Sequence, residues 1–207
     1  MKYVIFDFNG TVLDDLMVCV KSENETIRHF GLDREPLSVE EYLRIFTFPV
    51  RNYYEAVGFD WNKNSYEEVG AYWFSCYRKF RNEYAVHDGV IEILKKNHEK
   101  GYQNILLSAS SKVELHKQLK ELGIEEYFDD VLGIDNIYAE SKTQIAMDWI
   151  SDKDPEECLM IGDTLHDLET AREMGVRCIL VAKGHQSKEV LLSETEDVVD
   201  DIREIKI

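Results

Sequence analysis

The apolar run Tyr3-Val4-Ile5-Phe6 stops at a carboxylate, Asp7, and a turn follows at once in Asn9-Gly10-Thr11. A run this short and this apolar reads as a strand buried on both faces, the kind found in parallel sheets covered by helices. Such a strand delivers the residue beyond its C-terminal end to the sheet edge where open α/β folds hold their ligands. Position 9, where a second carboxylate would serve as acid and base, holds an amide.

The rest of the chain separates into two kinds of territory. Helical patterning runs from about Asp14 to Phe30, with Gly31 as a stop signal, then over Val39–Phe46, Val50–Val57 and Ser65–Glu83. This block is rich in aromatics at helical spacing, which points to helix packing, and it reads as free of strands. From Asp88 the pattern alternates. Helices at Gly89–Lys100, Lys112–Leu122, Lys142–Ile150 and Leu165–Met174 each precede a short apolar strand, at Gln103–Ser108, Asp130–Gly133, Cys158–Gly162 and Arg177–Val181. That alternation implies a doubly wound, Rossmann-like parallel sheet with helices on both faces. The first strand must join the same sheet. Residues 1–14 and 87–207 are therefore expected to form an α/β core, and residues 15–86 a helical insertion after strand 1.

A net charge of −17 argues against nucleic acid and anionic membrane surfaces as partners. The four cysteines are scattered, without C-x-x-C or metal-like spacing, and read as reduced thiols of a cytoplasmic protein. No segment is apolar over a bilayer's width, and the N-terminus enters a strand directly, so neither a membrane span nor a signal peptide is expected.

Four segments put polar groups just beyond a predicted core strand: Asp7-Phe8-Asn9, Ser108-Ala109, Ser141-Lys142, and Gly162-Asp163-Thr164-Leu165-His166-Asp167. In a parallel sheet all four fall along one edge and can converge. Carboxylates gathered in one place require a hard cation, and Mg2+ takes oxygen ligands from carboxylates, phosphate and water. A hydroxyl and a fixed ammonium suit the oxygens of a transferring phosphoryl group. Taken singly, each residue has a commoner structural use: Asp7 as a turn cap, Asp163 and Asp167 as helix caps, Lys142 as a solvated charge. One serine of Ser108–Ser111, with Ser110 or Ser111 favoured, would cap the following helix. His166 reads as a surface residue rather than a ligand.

The ordered set resembles the haloacid dehalogenase superfamily, in its phosphoglycolate phosphatase-like branch. That pattern is D-x-D-G-T, a strand-end Ser or Thr, a Lys, and G-D-x-x-x-D, and it covers essentially the whole chain. The resemblance implies a Mg2+-dependent phosphatase acting on a small phosphorylated metabolite, with strand order 5-4-1-2-3 and the insertion as a helical cap. It implies Asp7 as the nucleophile, and Asp7, the Asn9 carbonyl, Asp163 and nearby Asp167 as the metal site. Ser108, Ala109, Lys142 and backbone around Gly10 and Thr11 would hold phosphate. Arg51, after Pro49, would face substrate from the cap, or else pair with Glu55; Arg28 and His29 are the other cap candidates. Cap motion would hinge near Asp14 and His87-Asp88-Gly89. A monomer or weak homodimer is expected.

Asn9 is the departure. A carboxamide donates a hydrogen bond but exchanges no proton. Low turnover on alkyl phosphates, with better rates on acyl or aryl phosphates, is the expected consequence. Alternatives are a proton supplied by a residue such as His29, an introduced substitution, or deamidation at Asn9-Gly10. Asn9 disfavours a phosphomutase. Lys21 would matter only in a phosphonate hydrolase using a Schiff base. The rival to an enzyme is a weakened relative that binds a phosphorylated ligand or partner with little turnover.

Overall fold

The computed structural model describes residues 1–134 and 141–207. The chain opens with β1 (Tyr3–Phe6) and the two-residue β2 (Leu13–Asp14), then enters helices α1 (Leu16–Phe30), α2 (Val39–Ile45), α3 (Val50–Val57) and α4 (Tyr66–Phe80). It returns through β3 (Ala85–Val86) to α5 (Val90–Glu99), β4 (Gln103–Ser111), α6 (Lys112–Leu122) and β5 (Asp130–Ile134). The last stretch is α7 (Lys142–Ile150), β6 (Cys158–Gly162), α8 (Leu165–Met174), β7 (Arg177–Val181), α9 (Lys188–Leu192) and β8 (Val198–Val199).

Six strands form one parallel sheet in the order β5-β4-β1-β6-β7-β8, with β1 between β4 and β6. This is the expected order extended by one edge strand. β8 escaped the sequence reading because two residues carry no period.

Alternation along each strand builds both faces. Val4 and Phe6 of β1, Leu106 of β4 and Leu159 and Ile161 of β6 pack with Leu94 of α5 and Leu115 and Leu119 of α6. Ile5, Ile105, Leu107 and Met160 point the other way, onto Ala146 and Ile150 of α7 and Leu168, Ala171 and Met174 of α8. Val4, Ile5 and Phe6 are completely buried, each burial contributing about 1.5–3 kcal/mol. The continuous apolar run at the N-terminus is thus the central strand, covered twice.

The insertion has its own apolar centre: Val18, Cys19 and Ile27 of α1 pack with Tyr42, Tyr53, Tyr54, Val57, Val69 and Tyr77 of the other three helices. The expectation of no strand there needs correction. Leu13 and Asp14 pair antiparallel with Val86 and Ala85, so the outgoing and returning crossings run side by side as a two-stranded ribbon. Among the described residues no helix is long and apolar enough to cross a membrane.

Candidate active site

Asp7 comes directly after the last residue of β1 and donates its N–H to the Ile161 carbonyl at 2.9 Å, which fixes it at the C-terminal edge of the sheet's centre. Phe6 lies level with Leu106 of β4 and Ile161 of β6, so the residues that follow Leu106 and Ile161 arrive beside Asp7. Ser108, two residues past Leu106, is buried, and its Oγ accepts the Ser110 N–H at 3.2 Å; Ala109 is exposed. β4 continues to Ser111, the residue preceding α6, which makes no side-chain cap.

Lys142 begins α7 and is 4% exposed. Its Nζ donates to the carboxylates of both Asp7 and Asp167, the latter at 2.5 Å. Burial would lower the pKa of this ammonium, but Asp167 and Asp7 raise it well above the usual lysine value, so it is a fixed cation. Ala139 and Glu140, just before it, lie outside the described residues.

After β6 the chain places two carboxylates in sequence. Asp167 takes part in a capping box: its Oδ2 accepts Thr164 N–H (2.9 Å), Thr164 Oγ1–H (2.7 Å) and Asp163 N–H (3.2 Å). Asp167 therefore caps the helix start and pairs with Lys142 at once. Asp163 is fully buried and accepts from Thr11 Oγ1 at 2.8 Å and from the His185 N–H at 2.7 Å. Thr11 thus steadies a carboxylate. Two glycines are required by the approach to Asp163. A Cβ on Gly184 would lie 2.1 Å from its Oδ2, and one on Gly10, whose φ is 78°, would lie 2.2 Å from the same atom.

The carboxyl groups of Asp7, Asp163 and Asp167 come within 4.8 Å of one another, all buried. Burial raises Asp7 well above its ordinary value, Lys142 opposing and Asp167 and Asp163 adding to the rise. Burial also pushes Asp163 up to about 6, with His185 opposing and Asp167 adding. Asp167 is lowered despite its burial, chiefly by Lys142. An all-oxygen donor set with this surplus of negative charge fits a hard divalent cation.

A second buried cluster adjoins the first. Asp15, immediately before α1, is 1% exposed and accepts from Asn9 Nδ2 (2.8 Å), Gly10 N–H (3.1 Å), Tyr77 OH (2.8 Å) and Cys19 Sγ (3.6 Å). His185 Nε2 lies 3.1 Å from its Oδ1, and His185 Nδ1 shares a 3.1 Å hydrogen bond with Tyr42 OH. Burial would lower the His185 pKa, but Asp15 and Asp163 raise it to about 9, so at neutral pH the ring is a cation. Asp15 is lowered in turn, the His185 charge overcoming burial. Asn9 Nδ2 also reaches Tyr77 OH at 3.3 Å.

Asp15, Tyr77 and His185 were missed in the sequence, although His185 carried a signal. It comes after β7 as Asp163 comes after β6, so the same edge rule applied one strand further would have found it.

Three cap candidates sit elsewhere. Arg51 pairs with Glu55 at 3.5 Å and lies over the Trp61 ring at 5.0 Å, a contact set internal to the insertion. His29 stacks on Tyr72 at 3.7 Å near the far end of α1, so it cannot serve Asn9. Lys21 is half-exposed and pairs with Glu83. His166 stacks on Phe48 at 4.7 Å, a contact between core and insertion.

The chain is 25% identical over 212 residues to a phosphoglycolate phosphatase of Vibrio vulnificus, covering 97% of this chain and 92% of that one. It is 23% identical over 190 residues to a pyrophosphatase of Bacillus mycoides, covering 86% and 82%. A haloacid dehalogenase-like family hydrolase from Streptococcus pneumoniae superposes with a TM-score of 0.79 at 21% identity, covering 96% of this chain and 92% of that one. The sequence profile of haloacid dehalogenase-like hydrolases matches residues 4–181, and the chain belongs to that family.

Proposed function

We propose that this protein is a Mg2+-dependent phosphatase that hydrolyses a small phosphorylated metabolite through an aspartyl-phosphate on Asp7. The observation that carries this reading is the convergence of Asp7, Lys142, Asp163 and Asp167 from three separate strand ends on one buried point. Asp7, the Asn9 backbone carbonyl and Asp163 would hold Mg2+, with Asp167 supporting them through Lys142 and the Asp163 N–H. Bound Mg2+ supplies positive charge against the phosphoryl oxygens.

An oxygen of Asp7 attacks phosphorus while the bond to the leaving oxygen breaks, giving the aspartyl-phosphate. Water then attacks phosphorus, the bond to Asp7 breaks, a proton of that water passes to a phosphoryl oxygen, and inorganic phosphate leaves. Lys142, Ser108 and the backbone N–H groups about Ala109 bind the phosphoryl oxygens, the Gly10 N–H being held by Leu13 and Asp15, and residues 15–86 form a cap that excludes water.

Asn9 gives the leaving oxygen no proton, so the substrate class that suits this site has a leaving group already stable as an anion: an acyl, aryl or phosphoanhydride ester. The relative named a pyrophosphatase fits that class. The test is the ratio of turnover on acetyl phosphate and para-nitrophenyl phosphate to turnover on glycerol phosphate. A ratio well above that of the intrinsic reactivities supports the reading; equal loss on all three contradicts it.

A further inference from the structure

The Asn9 carboxamide is oriented by its neighbour. Asp15 already accepts from the Gly10 N–H and from Tyr77 OH, so the group that faces its Oδ2 at 2.8 Å is the Asn9 nitrogen, and the side-chain oxygen Oδ1 of Asn9 is turned away. Tyr77 OH donates to the same Asp15 oxygen, and Gly10 N–H and His185 hold the other. Asp15 is thus fixed from four sides and cannot swing out of the way. An aspartate at position 9 would set two carboxylates against each other at hydrogen-bond distance, one of them 1% exposed, where repulsion is less screened than in water.

We propose that residues 9 and 15 work as a matched pair of one carboxylate and one amide, and that Asp15 is a positioning residue which fixes the Asn9 carbonyl oxygen as the acceptor orienting the attacking water. The carboxylate absent from position 9 has moved one contact outward. Restoring aspartate at position 9 alone therefore does not restore a working acid–base residue; it needs the charge at position 15 removed in the same molecule. The role for Asn9 rests on the phosphatase reading, whereas the pairing itself does not.

The experiment is a double-mutant cycle of Asn9→Asp, Asp15→Asn and both together, read by melting temperature and by kcat and KM on para-nitrophenyl phosphate with Mg2+. Asn9→Asp is expected to melt several degrees lower and to lose activity. The exchanged pair is expected to melt close to the parent protein and to turn over at least about tenfold faster than Asn9→Asp. Asp15→Asn alone, which leaves the Asn9 amide free to flip, lowers kcat with KM nearly unchanged, a split that a general loss of packing would not produce. If Asn9→Asp does not fold while the exchanged pair does, the coupling is shown directly. Melting temperatures that combine additively, or Asn9→Asp alone as active as the exchanged pair, overturn the proposal. If all four proteins are inactive, the phosphatase reading fails, and the melting cycle still decides the pairing.

Discussion

Lys142 Nζ touches the Asp7 carboxylate although the two residues are 135 positions apart, which makes the sheet edge, not the local sequence, the unit that assembles this site. The contact favours the ionised form of Asp7 against the effect of burial, and in the proposed mechanism the same ammonium would bind the phosphoryl oxygens. Replacing Lys142 with Met should lower kcat on para-nitrophenyl phosphate by about 10²–10³-fold. Lys142→Arg should not rescue it, because a side chain 4% exposed leaves no room for the larger planar group. Steady-state kinetics on both variants, with circular dichroism to verify folding, check this.

A buried carboxyl in the cap makes stability depend on pH. Glu23 is completely buried, and neither of its oxygens nor the Tyr53 hydroxyl has a hydrogen-bond partner among the described residues. Burial raises its pKa from 4.5 to about 8, with the Arg34 charge opposing only in part. The folded state keeps a proton that the unfolded chain releases, so this stability is full below pH 4.5, falls as pH rises, and is gone above about 8. The slope in that window is about 1.4 kcal/mol per pH unit. Glu23→Gln should flatten it, leaving the variant the more stable protein at pH 8; urea unfolding at several pH values measures the difference.

The inserted helices and the α/β part are fastened together by a glutamine. Gln186 accepts the Leu165 N–H at the start of α8 (2.7 Å) and donates to the Phe46 carbonyl at the end of α2 (2.8 Å), while Ser187 N–H reaches the Leu43 carbonyl at 2.9 Å. Gln186→Ala should weaken closure by about 1–3 kcal/mol, since it leaves the Leu165 N–H without its partner. Faster proteolysis at the crossings near Asp14 and His87 is the expected readout, with protection by Mg2+ and a phosphate analogue reduced. Cleavage unchanged from the parent protein would show that other contacts hold the cap.

Much of this was legible in the sequence because buried parallel strands are short, apolar and cut off by their functional residues. Tyr3–Phe6 and Cys158–Gly162 each announce both a strand and the carboxylate beyond it, and four such ends in order were enough to infer one edge. The hidden part depended on tertiary contact. Asp15 looks like an ordinary helix-start acid until Asn9, Tyr77 and His185 are seen to converge on it from three separate parts of the chain. β2, β3 and β8 are two residues each, too brief for alternation to register. Arg51 and His29 were sensible cap candidates by residue type, but the aromatic block that surrounds them, Trp61 and Tyr72, takes up their side chains. Aromatic spacing foretold a packed insertion without telling which of its polar residues point inward.

In the proposed mechanism Asp7 is the nucleophile of a Mg2+-dependent phosphatase. Its most direct test is hydrolysis of para-nitrophenyl phosphate by the parent protein and by Asp7→Asn, each with Mg2+ and with excess chelator. Phosphate release is expected from the parent protein with Mg2+, with loss of it in chelator, and none above background from Asp7→Asn under either condition. Equal release from both proteins, or release from the parent protein that chelator leaves untouched, would contradict it.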